Sequence, residues 1–124
     1  MKMNTRSIFP YAFPILFLTA CTNDSTSDLI DSATITGKAT YTANVQSIIE
    51  NNCTACHAAV PINGTSLSLT TYENVKDAVL NRGLIERISM QSGQFGMMPL
   101  GGSRMPQHNI DIVIQWKNDG LLEQ

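Results

Sequence analysis

The chain has 124 residues, with 8 Lys and Arg against 10 Asp and Glu, a net charge of −2 and 43% hydrophobic residues. That fits one small domain with appendages, and it excludes a multi-domain enzyme, a multi-pass membrane protein and a strongly basic nucleic-acid binder. Aromatic residues make up only 6%, and there are three cysteines, an odd number that leaves one thiol over if disulfides were their purpose.

Lys2 and Arg6 precede an uncharged apolar run from Ile8 to Ala20. The run has the length of a signal-peptide core and falls short of a membrane span, and Pro10 and Pro14 weaken it further as a transmembrane helix. It ends in Leu18-Thr19-Ala20-Cys21, which resembles the lipobox of bacterial lipoproteins. The resemblance implies cleavage before Cys21 and acylation of that cysteine, giving a stable membrane anchor. The plainer alternative is an ordinary secretory signal with Cys21 incidental. In both cases residues 1–20 are expected to be removed and the rest exported to an oxidising compartment. Losing Lys2 and Arg6 takes the net charge from −2 to −4. Thr22 stands where an Asp is associated with inner-membrane retention in enterobacteria, which leans towards the outer membrane without deciding between the two.

Residues 21–40 are rich in Thr, Ser and Asp and show no sustained periodicity. Such a stretch cannot bury enough apolar surface to offset its ordering entropy, so it is expected to be a flexible tether. The domain is expected to span residues 41–124. Tyr41, Val45, Ile48 and Ile49 fall on one face of a first helix that Asn51 and Asn52 should end. A loop follows from Cys53 to about Leu69. Thr70 and Glu73 have the spacing of a capping box for a second helix, with Tyr72, Val75 and Val79 on one face and Gly83 as its stop. Leu84–Met90 is expected to add a short helical piece. Residues 91–104 form a Gly- and Pro-rich loop, and Pro106 suits the first turn of a last helix. On that helix Ile110, Ile112, Val113, Ile114 and Trp116 cover more than half the circumference, an arc wide enough for more than one packing partner, and Gly120 ends it. The fold class is therefore all-α with long loops. So small a domain with so much loop is thin on self-made core and needs a staple.

That staple is written in Cys53-Thr54-Ala55-Cys56-His57. Two thiols three residues apart can add across the two vinyl groups of one haem, and the adjacent His then lies under the porphyrin with an imidazole nitrogen for the iron. Other uses of the motif are a thioredoxin-like redox pair, half a zinc site with His108 as the one other strong ligand, or a plain disulfide. No βαβ pattern surrounds the pair, and there is no second Cys pair.

From Tyr41 to Leu122 the chain resembles a small class I bacterial c-type cytochrome: helix, C-x-x-C-H, loop, helix, a Met-Pro loop, and a last helix carrying Trp. Short members often have Met-Pro-x-Gly-Gly before the last helix, here Met98-Pro99-Leu100-Gly101-Gly102. The first helix lacks the Gly and aromatic pair that many members use where the terminal helices cross, so Val45, Ile48 and Ile49 are expected to pack on Trp116. The resemblance implies a cytochrome c-like helical domain around one covalent haem c, with thioethers from Cys53 and Cys56 and axial ligands from His57 and Met98. A thioether favours ferrous iron and raises the reduction potential. Met90, Met97 and Met105 are the other methionine candidates, and His108 would give a bis-His haem. The His57 Nδ1–H needs a backbone acceptor, for which the Val60-Pro61 loop is near in sequence. Arg87 or Arg104 could pair with a propionate. Tyr72, Leu67, Leu69, Val79, Ile88, Phe95 and Trp116 are candidates for pocket or core.

The function implied is single-electron transfer between respiratory partners on the periplasmic side of a bacterial membrane. The protein is then an electron carrier rather than an enzyme, meeting redox proteins transiently and the membrane through Cys21, with no nucleic acid and no small-molecule substrate. The alternative is a haem-based ligand sensor or peroxidase-like enzyme, which requires the Met ligand to be absent or labile.

Overall fold

The computed structural model describes residues 35–124. Cys21, the segment before it and residues 22–34 lie outside the described residues. A π-helical turn, Tyr41–Val45, runs directly into α1 (Gln46–Asn52); α2 (Tyr72–Asn81), α3 (Leu84–Ser89) and α4 (Gln107–Asn118) follow. Among the described residues there is no strand, and one isolated parallel bridge joins Thr40 to Leu122. The domain is all-α with two long loops, as the pattern predicts. No helix among the described residues is long and apolar enough to cross a membrane.

The helix boundaries follow local chemistry and differ from the expected ones by a residue in places. The first turn is capped by Thr40, whose Oγ1 accepts from the Ala43 N–H while its own N–H donates to Asn44 Oδ1. At α2 the N-cap is Thr71 rather than Thr70: Thr71 Oγ1 accepts from the Asn74 N–H at 3.3 Å. Position N3 is therefore Asn74, and Glu73 does not close a capping box. Its charge still lies in the first turn, where the helix dipole favours an anion. Two adjacent threonines make this boundary ambiguous in sequence, and the side-chain bond to Asn74 resolves it. Gly83, with φ 67° and ψ 31°, takes the left-handed conformation that stops α2 and starts α3. Pro106 lies just outside α4 instead of in its first turn, and its carbonyl accepts from Asn109 and Ile110.

The core is closed at the chain ends. Val45, Ile49, Val75, Ile110, Val113 and Trp116 are among the largest fully buried side chains. The ring of Trp116 meets those of Tyr41 (centroids 5.9 Å apart) and Tyr72 (6.3 Å), and the two tyrosines meet edge to face at 5.6 Å. The first helical segment thus brings an aromatic ring, Tyr41, to Trp116, while Val45, Ile48 and Ile49 lie in the same buried cluster. The C-terminal segment satisfies two of the polar tips: Trp116 Nε1 donates to Leu122 O (2.7 Å) and the Tyr72 hydroxyl to Leu121 O (2.8 Å). Packing also reaches upstream of Tyr41. Ala39 is buried, its N–H donates to Asp119 Oδ2 (2.7 Å), and Gln115 donates to Gly37 O. As the wide apolar arc requires, α4 packs on both the π-helical turn and α3.

Candidate functional site

Cys53-Thr54-Ala55-Cys56-His57 continues the course of α1 for one further turn. The Cys53 N–H donates to Ile49 O (2.8 Å), and the His57 N–H donates to Cys53 O (2.9 Å). This turn brings Cys53, Cys56 and His57 onto the wall of one cavity of about 560 Å³. The space falls within the range of small-molecule and cofactor sites. Leu67, Leu69, Leu84 and Ile88 form apolar walls, and Met98, Pro99, Leu100 and Met105 come from the second loop. Arg82 and Arg87 are the charged residues of the lining.

His57 is oriented by its own loop. Its Nδ1 lies 2.7 Å from Leu67 O. A carbonyl only accepts, so in the neutral ring Nδ1 carries the proton and Nε2 is left with a lone pair. This is the arrangement of a metal-ligating histidine, whose other nitrogen donates to a carbonyl that fixes the ring and raises its basicity. The acceptor is Leu67 O and not the Val60-Pro61 segment, because the loop turns at Asn63-Gly64 and returns. The Ile62 N–H donates to Cys56 O, and the Leu69 N–H to His57 O at 2.8 Å. That closure was not readable from sequence proximity.

Cys53 and Cys56 are free and partly buried. Burial pushes the Cys53 thiol up to about 11 from its ordinary 9.0. A redox-active or metal-binding cysteine has the opposite environment, one that lowers the pKa and favours the thiolate. The Cys56 Sγ lies 3.2 Å from Asn63 Nδ2, which donates to it. Among the described residues no three of His, Cys, Asp and Glu come together in a metal-holding group. The donors present are two sulfurs on one turn, an imidazole with a free nitrogen and thioethers on the facing loop. They fit a covalent haem in chemistry and in the apolar character of the walls.

Of the sixth-ligand candidates, Met98 and Met105 line the cavity, and Met90 and Met97 do not. Met97 is buried elsewhere. His108 lines a separate shallow groove with Ile35, Asn44, Ser47 and Ile112. Leu67, Leu69 and Ile88 are pocket residues, whereas Tyr72, Val79 and Trp116 belong to the core. Phe95 belongs to neither, being fully exposed at the tip of its loop. Arg87 reaches the cavity; Arg104 is instead bonded to Met90 O, Met105 O and Gln107. Arg82 was not foreseen. Its signal was its position directly after α2, where it serves as C-cap and pairs with Asp77 at 3.3 Å.

No family model matches the chain, and no curated protein and no solved structure is similar enough to match it.

Proposed function

We propose that this protein is a monohaem c-type cytochrome that transfers single electrons, held to a bacterial membrane on its periplasmic side by lipid on Cys21. The observation that carries the reading is one cavity lined by both thiols and the imidazole of C-x-x-C-H, with the imidazole tied at Nδ1 and free at Nε2, and by the Met98 thioether. Cys53 and Cys56 would hold a haem c covalently, and His57 and Met98 would bind its iron; when bound, that group would supply reversible one-electron redox chemistry. Leu67, Leu69, Leu84 and Ile88 keep water from that space. The Leu67 carbonyl keeps the His57 ring from turning, so the protein part of the site changes little with charge. If His57 and Met98 both bind the iron, the chain leaves no position there for a substrate, which would support a carrier over an enzyme. Partners are redox proteins met at the open side of the cavity, where Ile62 and Leu100 are exposed.

The test is expression of the full chain in a bacterium with a periplasmic haem-attachment system. The expected product keeps its haem after denaturation, is low-spin and six-coordinate, and shows the weak far-red thioether-to-iron band. High-spin ferrous iron that binds CO readily would favour a ligand sensor or peroxidase-like enzyme. A chain without covalent haem would leave a structural or thiol-redox lipoprotein. Labelling with radioactive palmitate, abolished by Cys21→Ala, tests the anchor.

A further inference from the structure

The loop that carries Met98 has no regular structure between α3 and α4, and much of its hold on the scaffold runs through two arginines. Arg104 spans its base: Nε donates to Met90 O (3.2 Å), Nη1 to Met105 O (3.4 Å) and Nη2 to Gln107 Oε1 (2.6 Å). Arg87, on α3, takes the middle of the loop from both ends of the residue. Its carbonyl accepts from the Met98 N–H at 3.1 Å, and its Nη1 donates to Gly96 O at 3.2 Å. Gly96 has φ 89°, and a Cβ built there would stand 3.0 Å from the same Nη1. A side chain at 96 would therefore strain the backbone and push the guanidinium away. Arg87 itself stays in place through the Arg87 N–H to Gly83 O bond of 3.1 Å and through Ile88, which is buried beside it.

We propose that Arg87 is a positioning residue for Met98. By gripping the chain at Gly96 and at Met98 itself, it sets where the thioether sits over the cavity, and so how easily a competing ligand displaces it. The proposal rests on the cytochrome reading. The physical reason is leverage. Met98 has a flexible, unbranched side chain, so its sulfur is placed only as well as its backbone is. The backbone here is held by one amide bond and one charge-assisted bond two residues away, and bonds from a charged donor are the stronger kind.

The experiment is an imidazole titration of the ferric holoprotein, followed by loss of the far-red thioether band. Arg87→Met keeps the aliphatic stem and removes the donor; Gly96→Ala displaces the donor and keeps it. Each is expected to lower the apparent Kd for imidazole about tenfold, the equivalent of one charge-assisted hydrogen bond. The double variant should be no weaker than the worse single variant, because both act on one contact. Gly93→Ala is the control. Gly93 also has a positive φ, 87°, in the same loop, but nothing lies within 4 Å of its added Cβ, so imidazole affinity should not change. Haem attached, a far-red band present and unchanged affinity in Arg87→Met would overturn the proposal alone. So would a Gly93→Ala effect equal to that of Gly96→Ala. Absence of covalent haem or of the band in the unmodified protein would overturn the cytochrome reading, and this inference with it. If Arg87→Met does not fold, Gly96→Ala decides the question.

Discussion

The two loops that face the cavity are held in opposite ways. The cysteine loop locks on itself through its main chain. It begins as an extra turn of α1, folds back so that Ile62 and Leu69 donate to the carbonyls of Cys56 and His57, and closes with the His57 side chain on Leu67 O. The methionine loop has short turns of its own, Gln94 to Gln91, Met97 to Gln94 and Gly102 to Pro99, and a single main-chain bond to α3, from the Met98 N–H to Arg87 O; beyond these, two arginine side chains hold it, Arg87 from α3 and Arg104 at its own base. A ring of main-chain bonds moves as one piece or not at all. A loop held by arginine side chains can give way at one contact and keep the rest. The histidine side of the cavity is therefore built as the fixed wall and the methionine side as the adjustable one.

Replacing the two proposed ligands tests that difference most severely. His57→Ala removes the proposed histidine ligand and also the donor to Leu67 O, so the cysteine loop loses its side-chain closure. Haem staining of the matured chain after denaturing electrophoresis should find little or none. Met98→Ala leaves the cysteine loop untouched. It should keep full covalent haem, lose the far-red band and gain rapid CO binding in the ferrous state. Equal holoprotein yields from the two variants would erase the contrast.

A second difference concerns the thiol before any haem is attached. Burial raises Cys53 to about 11, so in the folded chain the neutral thiol persists until the pH approaches that value. Raising the pKa from 9.0 to about 11 reduces the thiolate fraction about a hundredfold at pH 8. Iodoacetamide should label Cys53 slower by about that factor in the folded haem-free chain than in urea. The sign for stability follows. The contribution of the buried neutral thiol is fully present below pH 9.0 and is lost as the pH rises through about 11. Equal labelling rates in buffer and in urea would mean that the cysteine loop closes only when the thioethers form.

How much of this was legible in sequence divides along the same line. Helices with a regular apolar face, such as Tyr41, Val45, Ile48 and Ile49 on the first segment and Ile110, Val113 and Trp116 on α4, were read correctly because burial repeats with the helical period. The grouping of Cys53, Cys56 and His57 is local and was plain from spacing. What could not be read were contacts made by main-chain groups, which carry no residue signature. Proximity in sequence points to the Val60-Pro61 segment rather than to Leu67 O, and Thr70 and Thr71 offer α2 the same capping hydroxyl. Phe95 misled because an aromatic residue raises the expectation of burial, whereas here it rides at a loop tip between Gly93 and Gly96. Arg87 and Arg104 are equivalent in sequence, and only the fold separates them. One reaches the cavity and the middle of the loop; the other ties the ends of the loop.

That separation makes Arg104 the next test, with a smaller effect. Arg104→Met frees Met90 O and Met105 O but leaves the Arg87 contacts with Gly96 and Met98 in place. The loop would open at its base, several residues from Met98. The apparent Kd for imidazole should fall about two- to threefold, less than for Arg87→Met, since the Arg104 bonds hold the ends of the loop and their loss reaches Met98 only through the intervening chain. An effect as large as that of Arg87→Met would show that the loop moves as a single rigid piece and that no one residue positions the methionine.

The smallest effect is expected at Arg82, which also lines the cavity but whose guanidinium is paired with an exposed carboxylate instead of a loop carbonyl. Both members of the Arg82–Asp77 pair are well exposed, at 64% and 46%, and such pairs lose in solvent screening and side-chain entropy most of what they gain in attraction. Hydrogen bonds from Asn81 and then Arg82 hold the Asp77 carboxyl below its ordinary 3.8. A depressed carboxylate contributes stability above that ordinary value and loses it as pH falls through the folded-state value. Asp77→Asn should therefore leave the unfolding midpoint of the holoprotein at neutral pH within measurement scatter. The only difference from the unmodified protein should be a slightly flatter loss of stability below pH 4. It should leave the far-red band and the imidazole affinity unchanged, because Asp77 touches neither loop. A clear shift of the band would mean that the ion pair holds Arg82 in a role at the cavity, and that the adjustable wall extends from the methionine loop to the end of α2.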